Sequence, residues 1–468
     1  MKILLIKPPF SEIYGQFQSA ATEYPPMGLM YVAAVLEKAK HDVKIVDMPA
    51  ERVSEDGLGK ILADFRPELV GITVVTPTVN YSFKLAELAK KTAGCMVAMG
   101  GIHPTTMPGE VIANGSVDFV VRGEGEYTFL ELAKILESKN DDLKKCLGLT
   151  WKHEKKIVHN ADRTMIEDLD ELPFPSRRLV NLKNYHYVDA KAEPMTTVMT
   201  SRGCPGQCIY CDSKHLFGCK FRPRSAKNVA DEIELLVNEL KIREIHFLDD
   251  TFTLNRQRVE EICAEIKKRK LKFVWTCPNG VRVDTITKEL LQTMKDAGCY
   301  GLAFGVESGD QQILNNVRKG TTLEKIREAF MLCKEVGLET WGFFMFGLPG
   351  ETEATIKKTI DFAIELDPDV AKFHITVPYP GTELYKQWEA AGYLKEKDWS
   401  KYGIHVEPIF EMPSVSSKRI MELHKEAYKR FYLRPKQMFK ALRRMNSFAR
   451  VKNNFAAGIS IIKYAVSG

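Results

Sequence analysis

No apolar run in the 468-residue chain approaches the ~20 residues needed to span a bilayer. The N-terminal MKILLIKPPF lacks the long apolar core and small-residue cleavage site of a signal peptide. It reads instead as a first β-strand. There is no low-complexity tract and no repeat at solenoid periods. The second CxxC knuckle that usually completes a zinc site is also missing. These absences argue against a membrane-spanning, fibrous or secreted protein and point to the cytoplasm. In that compartment the ten cysteines stay reduced, and clustered thiols serve metals or catalysis before disulfides.

What is present fits a soluble globular protein of two or three domains, with 44% hydrophobic and 27% charged residues. The net charge of +6 is uneven. Met421 to Gly468 holds eleven Lys/Arg against two Glu, a net of +9, which leaves the rest near −3. Such a tail suits an anionic surface such as a membrane, a phosphorylated substrate or nucleic acid. A solvated helix face is the plain alternative.

Along the chain, strand and helix signals alternate twice. The first series has strands at Ile3–Ile6, Val43–Val46, Leu69–Val75, Met96–Met99 and Phe119–Val121, with helices at Met27–Lys38 and Tyr81–Lys91. Short apolar strands between helices predict a doubly wound parallel sheet, which binds ligands beyond its carboxyl strand ends. We expect this Rossmann-like domain over 1–146. A linker follows at 147–192, with a hairpin at Trp151–His159 and a turn-rich connector at Leu172–Ser176. The second series begins at Met195. Its strands are Thr196–Thr200, Glu244–Leu248, Phe273–Cys277, Gly301–Val306, Thr340–Phe346 and Val370–Val377. Helices at Ala226–Leu240, Arg256–Arg269, Lys288–Ala297, Thr322–Val336 and Glu353–Leu366 separate them. Six β-α units predict a partial or full barrel over 193–395, with its chemistry at the C-terminal strand ends. A basic, largely helical region over 396–468 follows.

Directly after the first strand of that second series runs Thr200-Ser-Arg-Gly-Cys204-Pro-Gly-Gln-Cys208-Ile-Tyr-Cys211. Three thiolates at these spacings can wrap one iron–sulfur cluster from a single loop. Clusters are normally held by four cysteines, so three leave one iron open to a substrate or cofactor. Zinc could take the same thiolates with Cys219 or His215 as a fourth ligand. Cys263, Cys299 and Cys333 lie on or beside apolar helix faces and read as packing thiols. His246, inside a strand, reads as a core histidine.

CxxxCxxC after the first strand of a β-α barrel resembles the radical S-adenosylmethionine (SAM) superfamily, from about Met195 to Tyr393. The resemblance implies a 4Fe-4S cluster on Cys204, Cys208 and Cys211, whose open iron binds SAM. One electron, from an external flavodoxin- or ferredoxin-type donor, then cleaves SAM to a 5′-deoxyadenosyl radical. The same resemblance puts Tyr210 at the adenine and Asp249 and Asp250 near the methionine ammonium. Glu307 and Ser308 would contact ribose and methionine. Gly347 and Gly350, in Gly-Leu-Pro-Gly-Glu351, would allow close backbone approach, with Tyr379 after the last strand. Asn279 and Arg282 are further polar contacts.

A doubly wound domain just before such a barrel resembles the cobalamin-binding radical SAM subfamily. The matching segments are Pro25-Pro26-Met27-Gly28, the acidic strand end Asp47, Thr76-Pro77-Thr78, Gly100-Gly101-Ile102-His103-Pro104 and Arg122-Gly123-Glu124-Gly125-Glu126. The implied cobalamin contacts are Pro26, Gly28, Thr76, Thr78, Gly100, Gly101, His103, Gly123 and Glu124. DxHxxG, which supplies a lower axial histidine in other cobalamin proteins, is absent. Cobalt ligation is therefore not assigned to His103, which would touch the nucleotide tail or cap a turn. The alternative is a domain that keeps the fold and binds nothing.

Together these resemblances imply a methyltransferase acting on an unactivated carbon or phosphorus centre of a small or lipid-like molecule. One SAM would methylate cob(I)alamin and a second would give the radical. The runner-up is an oxidative cyclase or rearrangement enzyme with the same cofactors. A non-enzymatic binding protein would not need the SAM-site segments. An RNA-modifying methylthiotransferase would carry more cluster cysteines in its first domain than Cys95 and Cys146, so no nucleic acid is expected. Met438, Leu442, Met445 and Phe448 recur at helical spacing among Lys440, Arg443, Arg444 and Arg450. That pattern suits either a packed core or an interfacial helix on the inner membrane face.

Overall fold

The apolar runs of the first 160 residues become one seven-stranded sheet in the computed structural model, which describes residues 1–9, 22–138, 142–154, 156–403, 407–444 and 464. Its strands are β1 Lys2–Lys7, β2 Asp42–Asp47, β3 Leu69–Thr73, β4 Met96–Gly100, β5 Phe119–Val121, β6 Leu149–His153 and β7 Lys156–His159. They lie in the order β2-β1-β3-β4-β5-β6-β7, the first five parallel. Successive residues of a strand face opposite sides. Ile3 and Leu5 therefore enter one core with helices α1 (Met27–Lys38) and α5 (Gly125–Ser138). Leu4 and Ile6 enter the other, with α2 (Glu55–Phe65) and α3 (Val79–Ala93). Burial on both faces is why these strands read as unbroken apolar runs. A short helix, α4 (Ile102–Thr106), follows β4. The order in which strands are added reverses between β1 and β3, the topological switch point at which such sheets hold ligands.

The hairpin expected in the linker belongs to this sheet. β6 pairs antiparallel with β5 and β7 with β6. Turn chemistry identified the hairpin, but only pairing across about 30 residues of sequence could assign its sheet.

The second series forms β8 Met195–Val198, β9 Glu244–Phe247, β10 Val274–Val281, β11 Cys299–Glu307, β12 Glu339–Phe346 and β13 Val370–Ile375. They pair in sequential order, all parallel, and the described pairings leave the sheet open between β8 and β13, as a partial barrel. The first helix of the series, α6 (Ser213–Phe217), sits in the cysteine-bearing loop. The covering helices are α7 (Ala226–Glu234, running into a π-turn), α8 (Arg256–Lys268), α9 (Lys288–Asp296), α10 (Leu323–Val336) and α11 (Glu353–Leu366). Ser225, Asn255, Thr287, Thr322 and Thr352 cap these five in turn, each side chain accepting a hydrogen bond from a first-turn N–H. Cys263, Cys299 and Cys333 are buried packing residues, and His246 is a core histidine bonded to Glu244 at 2.7 Å.

At the open edge, β13 is covered by α12 (Ser417–Tyr432). Tyr432 accepts from Ala371 N–H at 3.1 Å and donates to its carbonyl at 2.7 Å, satisfying an edge strand that would otherwise invite pairing. α13 (Pro435–Arg444) ends the described segment. Met445, Phe448 and Arg450 lie outside the described residues. No helix among those described is long and apolar enough to cross a membrane.

Candidate active site

The cysteine loop leaves β8 at the carboxyl end of the barrel and is pinned by its own backbone. Ile209 N–H bonds Val317 O at 3.2 Å, Leu384 N–H bonds Ile209 O at 3.0 Å, and Cys204 N–H bonds Gly218 O at 3.4 Å. Gly203 has φ +85°, and a Cβ there would run into the carbonyl of Lys220, so the turn that presents Cys204 requires glycine. Cys204, Cys208 and Cys211 are each half-buried and line one cavity of about 470 Å³. Gly206 N–H points at Cys204 Sγ, 3.4 Å away.

Five further strand ends supply the rest of the wall. Asp250 comes from β9, Asn279 and Arg282 from β10, Glu307 from β11, Phe343 and Met345 from β12, and His374 and Tyr379 from β13 and beyond. Two register shifts aim these residues inward, between Cys277 and Val281 and between Gly305 and Glu307. Glu307 sits at φ +63° and accepts from Tyr210 Oη at 3.1 Å and Lys319 Nζ at 2.6 Å. A Cβ on Gly305 would collide with this Glu307–Lys319 pair. Burial, with the neighbouring Asp249, raises the pKa of Asp250 above the usual carboxylate range.

Four of the residues expected to contact SAM do not line the cavity. Asp249 is buried and saturated, accepting from Thr200 N at 2.6 Å, Thr200 Oγ1 at 2.5 Å and Ser201 Oγ at 2.6 Å. It ties β9 to β8, and only Asp250 reaches the cavity. Ser308 is fully buried, 3.1 Å from Thr359 Oγ1. Gly347 and Gly350 have φ +87° and +83°, and a Cβ there would run into Phe410 and Asn316, so the tight turn requires glycine at both. Phe343, Met345 and His374 were not anticipated, because strand boundaries do not say which alternate residues face inward, and Lys319 was not, because it reaches the cavity from a loop.

The Gly347–Glu351 turn makes a separate prediction. Glu351 accepts from Gly347 N at 2.6 Å and Leu348 N at 2.9 Å, yet burial pushes its carboxyl up to about 8. A raised folded-state value means that the native protein binds the extra proton. The stability Glu351 contributes is therefore full below about pH 4.5 and lost as pH rises toward 8. Glu351→Gln should flatten this stretch of the stability–pH curve in denaturant titrations. An unchanged slope would show that Glu351 titrates normally.

In the first domain, Gly28, Gly100, Gly101 and Gly123 line a second cavity of about 160 Å³ with α1 and α5 on one side and Arg202 and Phe217 of the barrel on the other. Side chains at these glycines would fill it or meet its walls. Pro26, Thr76, Thr78 and His103 line neither cavity. Thr78 is spent on a turn, accepting from Val75 N at 3.2 Å and donating to Val75 O at 3.0 Å. His103 is buried, with Nδ1 3.3 Å from Thr76 Oγ1, its ring edge-on to Trp399, and Nε2 left without a partner. Burial pushes its pKa down to about 4, so the imidazole is neutral at pH 7.

Glu124 also lines this cavity, and it has a second task. It accepts from Arg202 Nη1 at 2.9 Å, Arg222 Nη1 at 2.9 Å and Ile166 N at 2.7 Å, and Glu126 accepts from Arg202 Nη2 at 2.6 Å. All four side chains are buried. The Arg-Gly-Glu-Gly-Glu segment thus clamps the first domain onto the strand that enters the cysteine loop. α4 packs on α6 beside it.

The donor set suits a cluster better than one ion. Among the described residues no three His, Cys, Asp or Glu side chains are gathered closely enough to hold a single metal ion, with or without Cys219 or His215. A four-iron cube takes each thiolate on a different iron, so its ligands stand further apart, as loop cysteines around one cavity can. The glycine-lined cavity likewise fits part of a cofactor tail beside the first sheet.

A doubly wound domain clamped to an open parallel barrel, with three cysteines at the barrel mouth, defines a two-cofactor radical enzyme. The family described as radical SAM superfamily matches residues 198–363, and that described as B12 binding domain matches 17–133. The chain belongs to the cobalamin-binding radical SAM family, whose cofactors are a 4Fe-4S cluster, SAM and cobalamin. It is 39% identical to an uncharacterized methyltransferase of Pyrococcus horikoshii, over 94% of both chains. It is 30% identical to an anaerobic magnesium-protoporphyrin IX monomethyl ester cyclase of Cereibacter sphaeroides, over 93% of this chain and 71% of that one. The fold matches the radical SAM methyltransferase TsrM of Kitasatospora setae with a TM-score of 0.73, covering 99% and 98% of the two chains at 17% identity.

Proposed function

We propose that the protein methylates an unactivated carbon or phosphorus centre of a small molecule. When bound, the cluster and SAM supply a 5′-deoxyadenosyl radical and cobalamin supplies the methyl group. The residues of this chain bind and orient. Cys204, Cys208 and Cys211 hold the cluster and leave one iron open. Tyr210, Asp250 and Glu307 face the SAM end of the cavity, and Lys319 balances the charge of Glu307. Phe343, Met345 and His374, from the strands furthest from the cysteine loop in sheet order, wall the substrate end. The glycine-lined cavity of the first domain takes the cobalamin tail, and a flavodoxin- or ferredoxin-type donor supplies the electron.

The observation that carries this reading is the Glu124–Arg202–Glu126 clamp. It fixes the first domain two residues from Cys204, where a methyl donor and a radical source must share one substrate. The 39% identical methyltransferase relative supports it further. Cyclisation is the second reading, favoured by the 30% identical cyclase. Reduced holoenzyme given methyl-labelled SAM and a small-molecule extract separates the two. Methyl transfer yields labelled acceptor, with S-adenosylhomocysteine and 5′-deoxyadenosine in equal amounts. Deoxyadenosine without S-adenosylhomocysteine would support cyclisation.

A further inference from the structure

A surface helix of a globular protein ordinarily turns its apolar stripe inward and its charges to water. α13 does the reverse. Its inward residues are polar. Gln437 donates to Asp367 Oδ1 at 2.8 Å and Pro368 O at 2.9 Å, and Lys440 donates to Asp367 Oδ2 at 2.8 Å. Arg444 donates to Asp189 at 2.5 Å and Asp369 O at 3.1 Å. The outward residues include three large apolar side chains, Met438, Phe439 and Leu442, exposed at 54%, 66% and 67%, flanked by Lys436 and Arg443. The charged inner face fixes the helix to the body and leaves the apolar face with nothing described against it.

We propose that α13 is a docking element that lays Met438, Phe439 and Leu442 into the surface of an anionic lipid bilayer. Charge selects this occupant. Residues 421–468 carry eleven Lys/Arg against two Glu. Arg430, Arg434, Lys436, Lys440 and Arg444 are paired to Asp361, Asp367 and Asp189, and six basic residues still lie outside these pairs. A second copy of the chain would therefore bring like charge to the contact, whereas anionic lipid is attracted. Large apolar side chains beside Lys436 and Arg443 are the composition of an interfacial helix. Position agrees as well. α13 grips residues just before β13, at the amino ends of the barrel strands, while the cysteine cavity opens at their carboxyl ends. Docking therefore leaves the cavity mouth clear of the bilayer.

The test is co-sedimentation of the full-length holoenzyme with phosphatidylcholine vesicles, with and without phosphatidylglycerol. Binding is expected only with phosphatidylglycerol, weakening as salt is raised. Met438→Ser/Phe439→Ser/Leu442→Ser, which alters exposed residues only, should lower the vesicle partition coefficient at least about tenfold while iron content stays unchanged. Equal binding by the triple variant would overturn the proposal, as would equal binding to phosphatidylcholine alone. A dimer that the triple substitution dissociates, with no vesicle binding, would overturn it in favour of a second copy.

Discussion

Replacing any one of Cys204, Cys208 and Cys211 with Ala is expected to empty the site of iron and abolish SAM cleavage. After anaerobic reconstitution the parent protein should hold about four irons per chain, and each variant less than about one. The expectation rests on geometry. The three thiols come from one loop, line one cavity and are half-buried, so they answer to a ligand and not to the core. Folding should survive, because none of the three is fully buried. Cobalt content should also survive, because the glycines of the first-domain cavity are untouched. Cys263→Ala and Cys333→Ala act as controls. Both thiols are fully buried, with pKa values pushed up to about 12 by that burial, and neither should change the iron content. Cys219→Ala and His215→Ala should be equally silent. A single zinc ion that disappears with Cys219→Ala would mean that the loop is a structural zinc site and the enzyme assignment is wrong.

The second large effect is expected at Glu124. Its carboxylate faces two buried arginines, Arg202 and Arg222, and a backbone N–H, and its side chain is 3% exposed. Removing one member of a buried ion network leaves uncompensated charge, at a cost of about 3–5 kcal/mol. Glu124→Ala should therefore unfold at markedly lower denaturant than the parent. Arg202 stands two residues before Cys204, so the variant should also retain less iron. An exposed pair provides the scale. Arg256 and Glu260 lie 2.8 Å apart on the surface of α8, where water screens the pair, and Glu260→Ala should shift the unfolding midpoint far less. Equal costs for the two substitutions would mean that the clamp does not carry the domain contact.

The Glu124 network also shows where sequence reasoning stops. The first sheet and the barrel were legible because burial on both faces leaves unbroken apolar strands, and capping residues mark where α7 to α11 begin. The cysteine loop was legible because its spacing is local. Glu124 lines the first-domain cavity, but its clamp went unread because its partners lie 78 and 98 residues away, and nothing near it in sequence names them. Asp249 and Asp250 differ by one position, and a one-residue step along extended chain moves a side chain to the opposite face. Both acids could be placed at a strand end, but register alone decided which enters the cavity. The reversed face of α13 escaped for a related reason. A stripe of apolar residues at helical spacing gives the same pattern whichever side meets the protein, and the deciding partners are Asp367 and Asp189, far upstream.

The most direct test of the two-cofactor account is anaerobic reconstitution of the parent protein with iron, sulfide and hydroxocobalamin, followed by metal quantitation and an optical spectrum. The account predicts about four irons and one cobalt per chain. Four irons without cobalt would leave a radical SAM enzyme whose first domain binds nothing, and would contradict the assignment of methyl transfer.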